Sequence, residues 1–258
     1  MALIHVIFLF VAALLGGMIN SVAGGGSFFT FPALILSGIS SVVANATSTI
    51  ALWPGTLASI QAYKKHFDYQ SRLVVVLSLV SILGGAAGAI TLLHIPSSIF
   101  DSFLPFLLLT ATLIFTFSNK LKGIVSTPKT QTSSGYTVKS LLYISIAQLC
   151  ISFYGGFFGG GIGMLMLATL GMMGIREIHQ MNAIKVFLAS IINGTAVLTF
   201  VLSGIVQWPS ACIMILGAIC GGYAGAKFAQ KMNPAYVRGF VVFIGFGMTI
   251  YFFKVFLK

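Results

Sequence analysis

Long apolar stretches separated by short polar ones run through the whole chain. At about 1.5 Å per helical residue, eight of them are long enough to cross a hydrocarbon core of roughly 30 Å. We predict a helix in each: 2–22, 42–63, 73–93, 98–118, 140–158, 179–203, 207–227 and 234–256. Two shorter apolar stretches, 27–38 and 162–174, each follow a run of glycines. The pattern predicts an all-α integral membrane protein with about eight long spans and two short segments.

The second half of the chain repeats the first. Residues 84–89, Gly-Gly-Ala-Ala-Gly-Ala, return 137 positions later at 221–226 as Gly-Gly-Tyr-Ala-Gly-Ala, and the same offset relates Asn45 to Asn182. Both six-residue segments contain a Gly-x-x-x-Gly spacing, which favours close packing of helices. A duplicated membrane unit typically builds its site between the two copies.

One long polar stretch separates the two copies. Residues 119–139 contain several lysines, serines and threonines together with Pro128 and Gly135, a composition typical of a linker. We therefore assign 1–118 to a first transmembrane repeat, 119–139 to a cytoplasmic linker and 140–258 to a second transmembrane repeat.

Basic residues in the loops indicate that the copies have opposite orientations. In the first half, loop 64–72 carries lysine and arginine and loop 94–101 carries neither, whereas in the second half loop 203–209 is uncharged and loop 227–238 is basic. Equivalent loops then prefer opposite sides of the membrane, as inverted repeats require. Inversion needs an odd number of crossings per half, so the short segments must cross. If they are re-entrant instead, the copies are parallel and the basic residues are divided less cleanly between the two sides.

Composition supports a membrane protein and argues against other classes. Apolar residues make up 58% of the chain and charged residues 7%, and the mean hydropathy is +1.05. A soluble domain of this size does not show such values. The formal net charge of +11 comes mostly from short loops, which indicates topology signals rather than nucleic-acid binding. Cys150, Cys212 and Cys220 lie in apolar stretches without metal-ligand spacing, which predicts buried thiols.

Two glycine runs interrupt apolar sequence at corresponding places in the two copies. Adjacent glycines break a helix, and the freed N–H groups, with the N-terminus of the next short helix, can hold an anion. The alternative is that these glycines only allow close helix packing. Broken helices at matching positions point to a transporter site. The candidate site residues are Gly24, Gly25, Gly26, Ser27, Gly159, Gly160 and Gly161.

Polar side chains recur inside two apolar helices. Asn45, Thr47 and Ser48 lie in the first copy, and Asn182 and Lys185 occupy corresponding positions in the second. Amides and hydroxyls in such surroundings need hydrogen-bond partners, which neighbouring helices or a substrate can supply. Lys185 aligns with Ser48, so one copy alone carries a cation here, which either contacts the substrate or extends to the membrane surface. We include all five residues among the candidate substrate ligands.

Carboxylates are rare in this chain. The three present, Asp68, Asp101 and Glu177, all lie near predicted loops. Proton or sodium relays built on buried acids are therefore not expected, and cation transport is disfavoured. The sequence contains no His-Glu-x-x-His motif, paired membrane acids or Ser/His arrangement that would indicate an enzyme, and no pattern calls for a cofactor or a metal. A site lined by glycine amides, Asn, Thr, Ser and Lys suits an anion.

The order of these motifs resembles a known family. The segments are Gly-Gly-Gly-Ser at 24–27, Phe-Pro at 31–32, Asn-Ala-Thr-Ser at 45–48, Gly-Gly-Gly-Ile-Gly at 159–163 and Asn-Ala-Ile-Lys at 182–185. Together they resemble the sulfite exporter TauE/SafE family over nearly the whole chain. The resemblance implies a membrane transporter of sulfur-containing anions such as sulfite, sulfoacetate or related organosulfonates, often exporting them from the bacterial cytoplasm.

We therefore expect a multi-pass secondary transporter of the bacterial inner membrane with an anion site between its repeats. Its partners are a small anionic substrate and the lipid bilayer. Moving one negative charge out of a negative cytoplasm gains about 2.3 kcal/mol per 100 mV, so the membrane potential can drive export. An anion channel, or a transporter of another small organic anion, has the same sequence signature. An intramembrane enzyme is the less favoured alternative.

Overall fold

The computed structural model describes residues 3–63, 72–124, 131–132, 135–136, 138–172, 175, 178–229 and 234–256. Within these ranges the first half forms α1 (Leu3–Ala23), α2 (Ser27–Leu36), α3 (Ser41–Tyr63), α4 (Arg72–His94) and α5 (Ser97–Ile124). The second half forms α6 (Val138–Phe157), α7 (Ile162–Met172), α8 (Ile178–Leu202), α9 (Trp208–Ala229) and α10 (Pro234–Phe256). Between them β1 (Gln131–Thr132) and β2 (Gly135–Tyr136) form a two-residue antiparallel pair.

Both halves have the same order of helices, in which a short second helix follows a glycine run. The predicted short segments become α2 and α7, and each long apolar stretch becomes a long helix. α5 continues past the predicted span into the segment that we assign to the linker. Most of the basic loop predicted at 64–72 falls outside the described residues, as do positions 230–233 of the second basic loop.

An all-helical membrane protein is the architecture that these elements support. Among the described residues, four helical stretches are long and apolar enough to cross a membrane: Leu3–Ser21, Leu73–His94, His179–Leu202 and Trp208–Lys227. The count of eight long spans stays a prediction. α3 does not meet that criterion because serine, threonine and asparagine occupy much of its first half, although its length is sufficient.

Small residues let helices of the two halves approach closely. α1 packs on α9 and α4 packs on α6, which are corresponding pairs in the two copies. A Cβ atom at Gly88 would overlap the backbone of Phe153, and one at Gly225 would overlap the backbone of Met18. Both glycines belong to the repeated Gly-x-x-x-Gly spacings, so these motifs serve helix packing here.

α3 and α8 also pack together, and they run in opposite directions. The indole Nε1 of Trp53 donates a hydrogen bond to the carbonyl oxygen of Ser190 at 2.9 Å. Ten residues further along α3, Tyr63 packs in a cluster with Val186, which precedes Ser190 in α8. The residue numbers of the contacts rise along α3 while they fall along α8, so the two helices are antiparallel.

An aromatic cluster surrounds α2 in the interior. Phe31 is fully buried, and its ring centroid lies 5.8 Å from that of Phe158, which directly follows α6, and 5.9 Å from that of Phe252 on α10. Many large apolar side chains are instead exposed on the outside of the bundle, as expected where lipid surrounds the protein. The prediction that the three cysteines are buried is wrong, because all three lie exposed on this outer surface.

Candidate functional site

A cavity of about 20 Å³ lies where the two glycine runs meet α3 and α8. This volume is just above the roughly 10–15 Å³ that one water molecule needs. Both halves contribute to its wall. The lining consists of Asn20, Ser21, Gly24, Ser27, Thr49, Leu52, Thr56, Ser59, Gly159, Ile162, Gly163, Lys185, Val186, Ala189 and Asn193.

The glycine runs position two helix N-termini at this cavity. Gly24 and Gly159 have φ angles of +76° and +78°, a left-handed backbone that glycine adopts without a Cβ clash. A Cβ at Gly24 would overlap the backbone of Gly163, so the first run is in direct contact with the start of α7. Ser27, the first residue of α2, and Ile162, the first residue of α7, both line the cavity. The positive ends of two helix dipoles therefore lie beside the same space.

Lys185 supplies the cavity with a basic side chain. It lies about two turns inside α8 and is 1% exposed, so it does not reach the protein surface. Its ammonium Nζ donates a hydrogen bond to the carbonyl oxygen of Ser21 at 3.2 Å, in the last turn of α1. Helix C-termini carry partial negative charge and carbonyls without intrahelical partners, which favours a cation there.

Neutral polar groups form the rest of the polar wall. The amide Nδ2 of Asn20 donates to the hydroxyl of Thr56 at 3.0 Å. The hydroxyl of Ser59 donates to the carbonyl oxygens of Gly55 and Gly222 at 2.8 and 3.2 Å. These contacts join α1, α3 and α9 on one side of the cavity.

The electrostatic character of the cavity favours an anion. Of the three carboxylates, Asp101 alone belongs to the described residues, and it does not line the cavity. Lys185 and two helix N-termini contribute positive charge or positive partial charge. Within the described ranges, no group of three His, Cys, Asp or Glu residues could hold a metal ion.

The polar residues predicted on α3 have protein partners instead of lining the cavity. The amide Nδ2 of Asn45 donates to the carbonyl oxygen of Phe157 at 3.0 Å, at the end of α6. The hydroxyl of Thr47 accepts the backbone N–H of Gln207 at 3.1 Å. Ser48 shares a hydrogen bond of 2.6 Å with Thr30. All three side chains of the predicted group are buried by neighbouring helices, and their role as substrate ligands stays a prediction.

The remaining predicted residues do not line the cavity. Gly26 packs against the backbone of Gly16, which brings the start of α2 alongside α1. The carbonyl oxygen of Gly160 accepts a hydrogen bond from the phenol of Tyr154 at 2.8 Å. Gly25, Gly161 and Asn182 also lie outside the lining, and the buried Oδ1 of Asn182 has no partner in the described structure. The predicted residues at the cavity itself are Gly24, Ser27, Gly159 and Lys185.

Comparison with known proteins identifies the family of the chain. The profile of the family described as sulfite exporter TauE/SafE matches residues 9–252. The chain belongs to this family. The predicted class, a membrane transporter and not an enzyme, is thereby confirmed.

Similar proteins from several bacteria carry the name probable membrane transporter protein. One from Haemophilus influenzae is 29% identical over 242 residues, 93% of this chain and 91% of the relative. YfcA of Escherichia coli is 27% identical over 248 residues, 93% of this chain and 87% of the relative. YunE of Bacillus subtilis is 26% identical over 246 residues, 88% of this chain and 89% of the relative. No solved structure matches the chain.

Several residues at the cavity of this TauE/SafE protein were not among the predicted ligands. On α3 they follow helical spacing, at Thr49, Leu52, Thr56 and Ser59. Positions three or four apart share one face of a helix, so this spacing was a usable signal. Asn193 on α8 was noticeable only as a polar residue in apolar sequence. Its place at the cavity depends on the tertiary structure.

Proposed function

We propose that this protein is a secondary transporter that exports sulfur-containing anions across the bacterial inner membrane. The observation that carries the proposal is Lys185, a buried cation at a cavity between the two halves with no carboxylate in its described lining. An ammonium in such a place favours a negatively charged ligand. The family description names sulfite, so sulfite, sulfoacetate and related organosulfonates are the proposed substrates.

We also propose that the two halves are inverted repeats. The antiparallel packing of the equivalent helices α3 and α8 supports this arrangement. The equivalent helices α5 and α10 are antiparallel as well, because Phe106 packs on Phe253 with 5.3 Å between ring centroids while Thr112 lies beside Gly245. A cavity at the contact of two inverted units is where secondary transporters bind their substrates.

The small volume of the cavity supports a carrier that changes conformation. A space for about one water molecule does not hold sulfite or an organosulfonate, so binding requires the lining helices to separate. The glycine runs beside the cavity provide backbone positions at which α2 and α7 can change direction. An anion channel remains the second candidate, because it would share the same electrostatics.

Export fits the electrical driving force. With a negative cytoplasm, outward movement of a monoanion gains about 2.3 kcal/mol per 100 mV, and a dianion gains roughly twice that. Among the described residues that line the cavity, no acidic group is present to bind a coupling cation. The membrane potential is therefore the proposed driving force.

The test is flux of sulfite and of sulfoacetate in proteoliposomes under an imposed potassium-diffusion potential. We expect saturable flux that increases when the compartment containing the anion is made negative. Flux that rises linearly with concentration would favour the channel, and the absence of flux for both anions would overturn the proposed function.

A further inference from the structure

Equivalent polar positions of the two halves have different hydrogen bonds. The offset of 137 relates Ser48 to Lys185 and Thr56 to Asn193. In the first half both groups are paired within that half, Ser48 with Thr30 at 2.6 Å and Thr56 with Asn20 at 3.0 Å. In the second half both equivalents line the cavity. Thr56 lines the cavity as well, but its hydroxyl already accepts the hydrogen bond of Asn20.

Asn193 is the less satisfied of the two groups on α8. It is 8% exposed and lines the cavity, and its amide has no hydrogen-bond partner among the described residues. A buried amide without partners is unfavourable, because it has given up its hydrogen bonds to water without replacing them. Such a group in a membrane protein indicates a ligand that is present for part of the working cycle.

The sequence explains why Asn193 lacks the partner that its equivalent has. Around the glycine runs the offset between the copies is 135, which relates Asn20 of α1 to Gly155 of α6. Asn20 supplies the amide that donates to Thr56, whereas Gly155 has no side chain to offer Asn193. The unpaired amide is thus encoded by a difference between the copies at two positions.

We propose that Asn193 is a substrate-binding residue, whose amide N–H donates a hydrogen bond to an oxygen of the transported anion. Lys185 lies eight residues away on α8, about 12 Å along the helix axis, and lines the same cavity. The ammonium then provides charge and the amide provides a directed donor for an oxyanion. This inference rests on the proposed function and adds a residue to its site.

The test compares half-saturation of sulfite and sulfoacetate flux in wild type, Asn193→Ala and Asn193→Asp. Loss of a hydrogen bond to a charged group is expected to raise half-saturation of Asn193→Ala about tenfold to a hundredfold. Asn193→Asp keeps the shape of the side chain and introduces an acid, which is expected to abolish saturable flux. Melting temperature and elution volume in detergent establish whether each variant is folded. If the alanine variant does not fold, the flux of the aspartate variant decides the test.

Gln148→Ala is the matched control. Gln148 is also a buried amide, but its Nε2 donates to the hydroxyl of Ser81 at 2.9 Å between α4 and α6, outside the cavity lining. Its removal is expected to lower the melting temperature and leave half-saturation unchanged. If wild type transports the anion and folded Asn193→Ala has unchanged half-saturation, the inference is wrong and the proposed function stands. If wild type transports neither anion, the proposed function and this inference both fail.

Discussion

Replacement of Lys185 by glutamine removes the charge of the cavity's lysine with little change in shape. Glutamine is uncharged but can still donate a hydrogen bond, including one toward the Ser21 carbonyl that Lys185 contacts at 3.2 Å. The substitution therefore tests charge more than packing. If the anion binds at the cavity, its affinity must fall.

The size of the loss follows from the burial of Lys185. At 1% exposure its charge is shielded little by salt, and a pair 4 Å apart interacts by about 4 kcal/mol at an effective dielectric constant of 20. Desolvation of the anion offsets part of that energy, and the glutamine amide restores a neutral hydrogen bond. We expect a net loss of roughly 1.4–2.8 kcal/mol, which is a rise in half-saturation of about tenfold to a hundredfold.

The assay is concentration-dependent sulfite or sulfoacetate flux in reconstituted vesicles for wild type, Lys185→Gln and Lys185→Arg. Arginine keeps the charge but changes its geometry, so partial activity is expected. Unchanged half-saturation in a folded Lys185→Gln protein would refute the reasoning, because a cation in contact with the substrate cannot be removed without loss of affinity.

Three further predictions concern packing, a helix-end contact and topology. Gly88→Leu should lower the melting temperature and yield, because its side chain would overlap the α6 backbone, whereas Gly247→Leu, at a position with open space, should leave both near wild type. Asn45→Ala should lower the free energy of unfolding by about 1–3 kcal/mol, because it leaves the carbonyl oxygen of Phe157 on α6 without its hydrogen bond. An unchanged melting temperature with weakened flux would instead favour a direct substrate role. Cysteines introduced at Lys65 and Lys231, both outside the described residues, should react from the cytoplasmic side, and labelling from opposite sides would contradict inverted repeats.

The order of helices could be predicted from sequence because apolar length and glycine runs are local signals. Both short segments appear as α2 and α7, each directly after its glycine run. The exposure of Cys150, Cys212 and Cys220 was missed for a physical reason. In a membrane protein an apolar helix has an outer face as hydrophobic as its inner face, so composition does not indicate which residues are buried.

The residues that line the candidate cavity were predictable only in part. Gly24 and Gly159 were found because both copies break at the same place, and Lys185 was found because a cation in an apolar helix is unusual. Asn45 has an equally visible polar side chain, yet it donates to a carbonyl on α6. Whether a buried amide contacts a neighbour or a cavity depends on which helix is opposite. A single sequence carries no local signal for that choice.

The energetics of Lys185 separate a functional residue from a structural one. Burial of an ammonium costs several kcal/mol, and the Ser21 carbonyl, with the negative end of α1, offsets part of that cost. Replacement of buried charges by neutral groups is often neutral or stabilising, so the lysine does not need to contribute to folding. Lys185→Gln should then weaken anion flux while the melting temperature of the empty protein stays equal or rises. A lysine retained for structure would produce the opposite pair of results, a lower melting temperature with unchanged half-saturation.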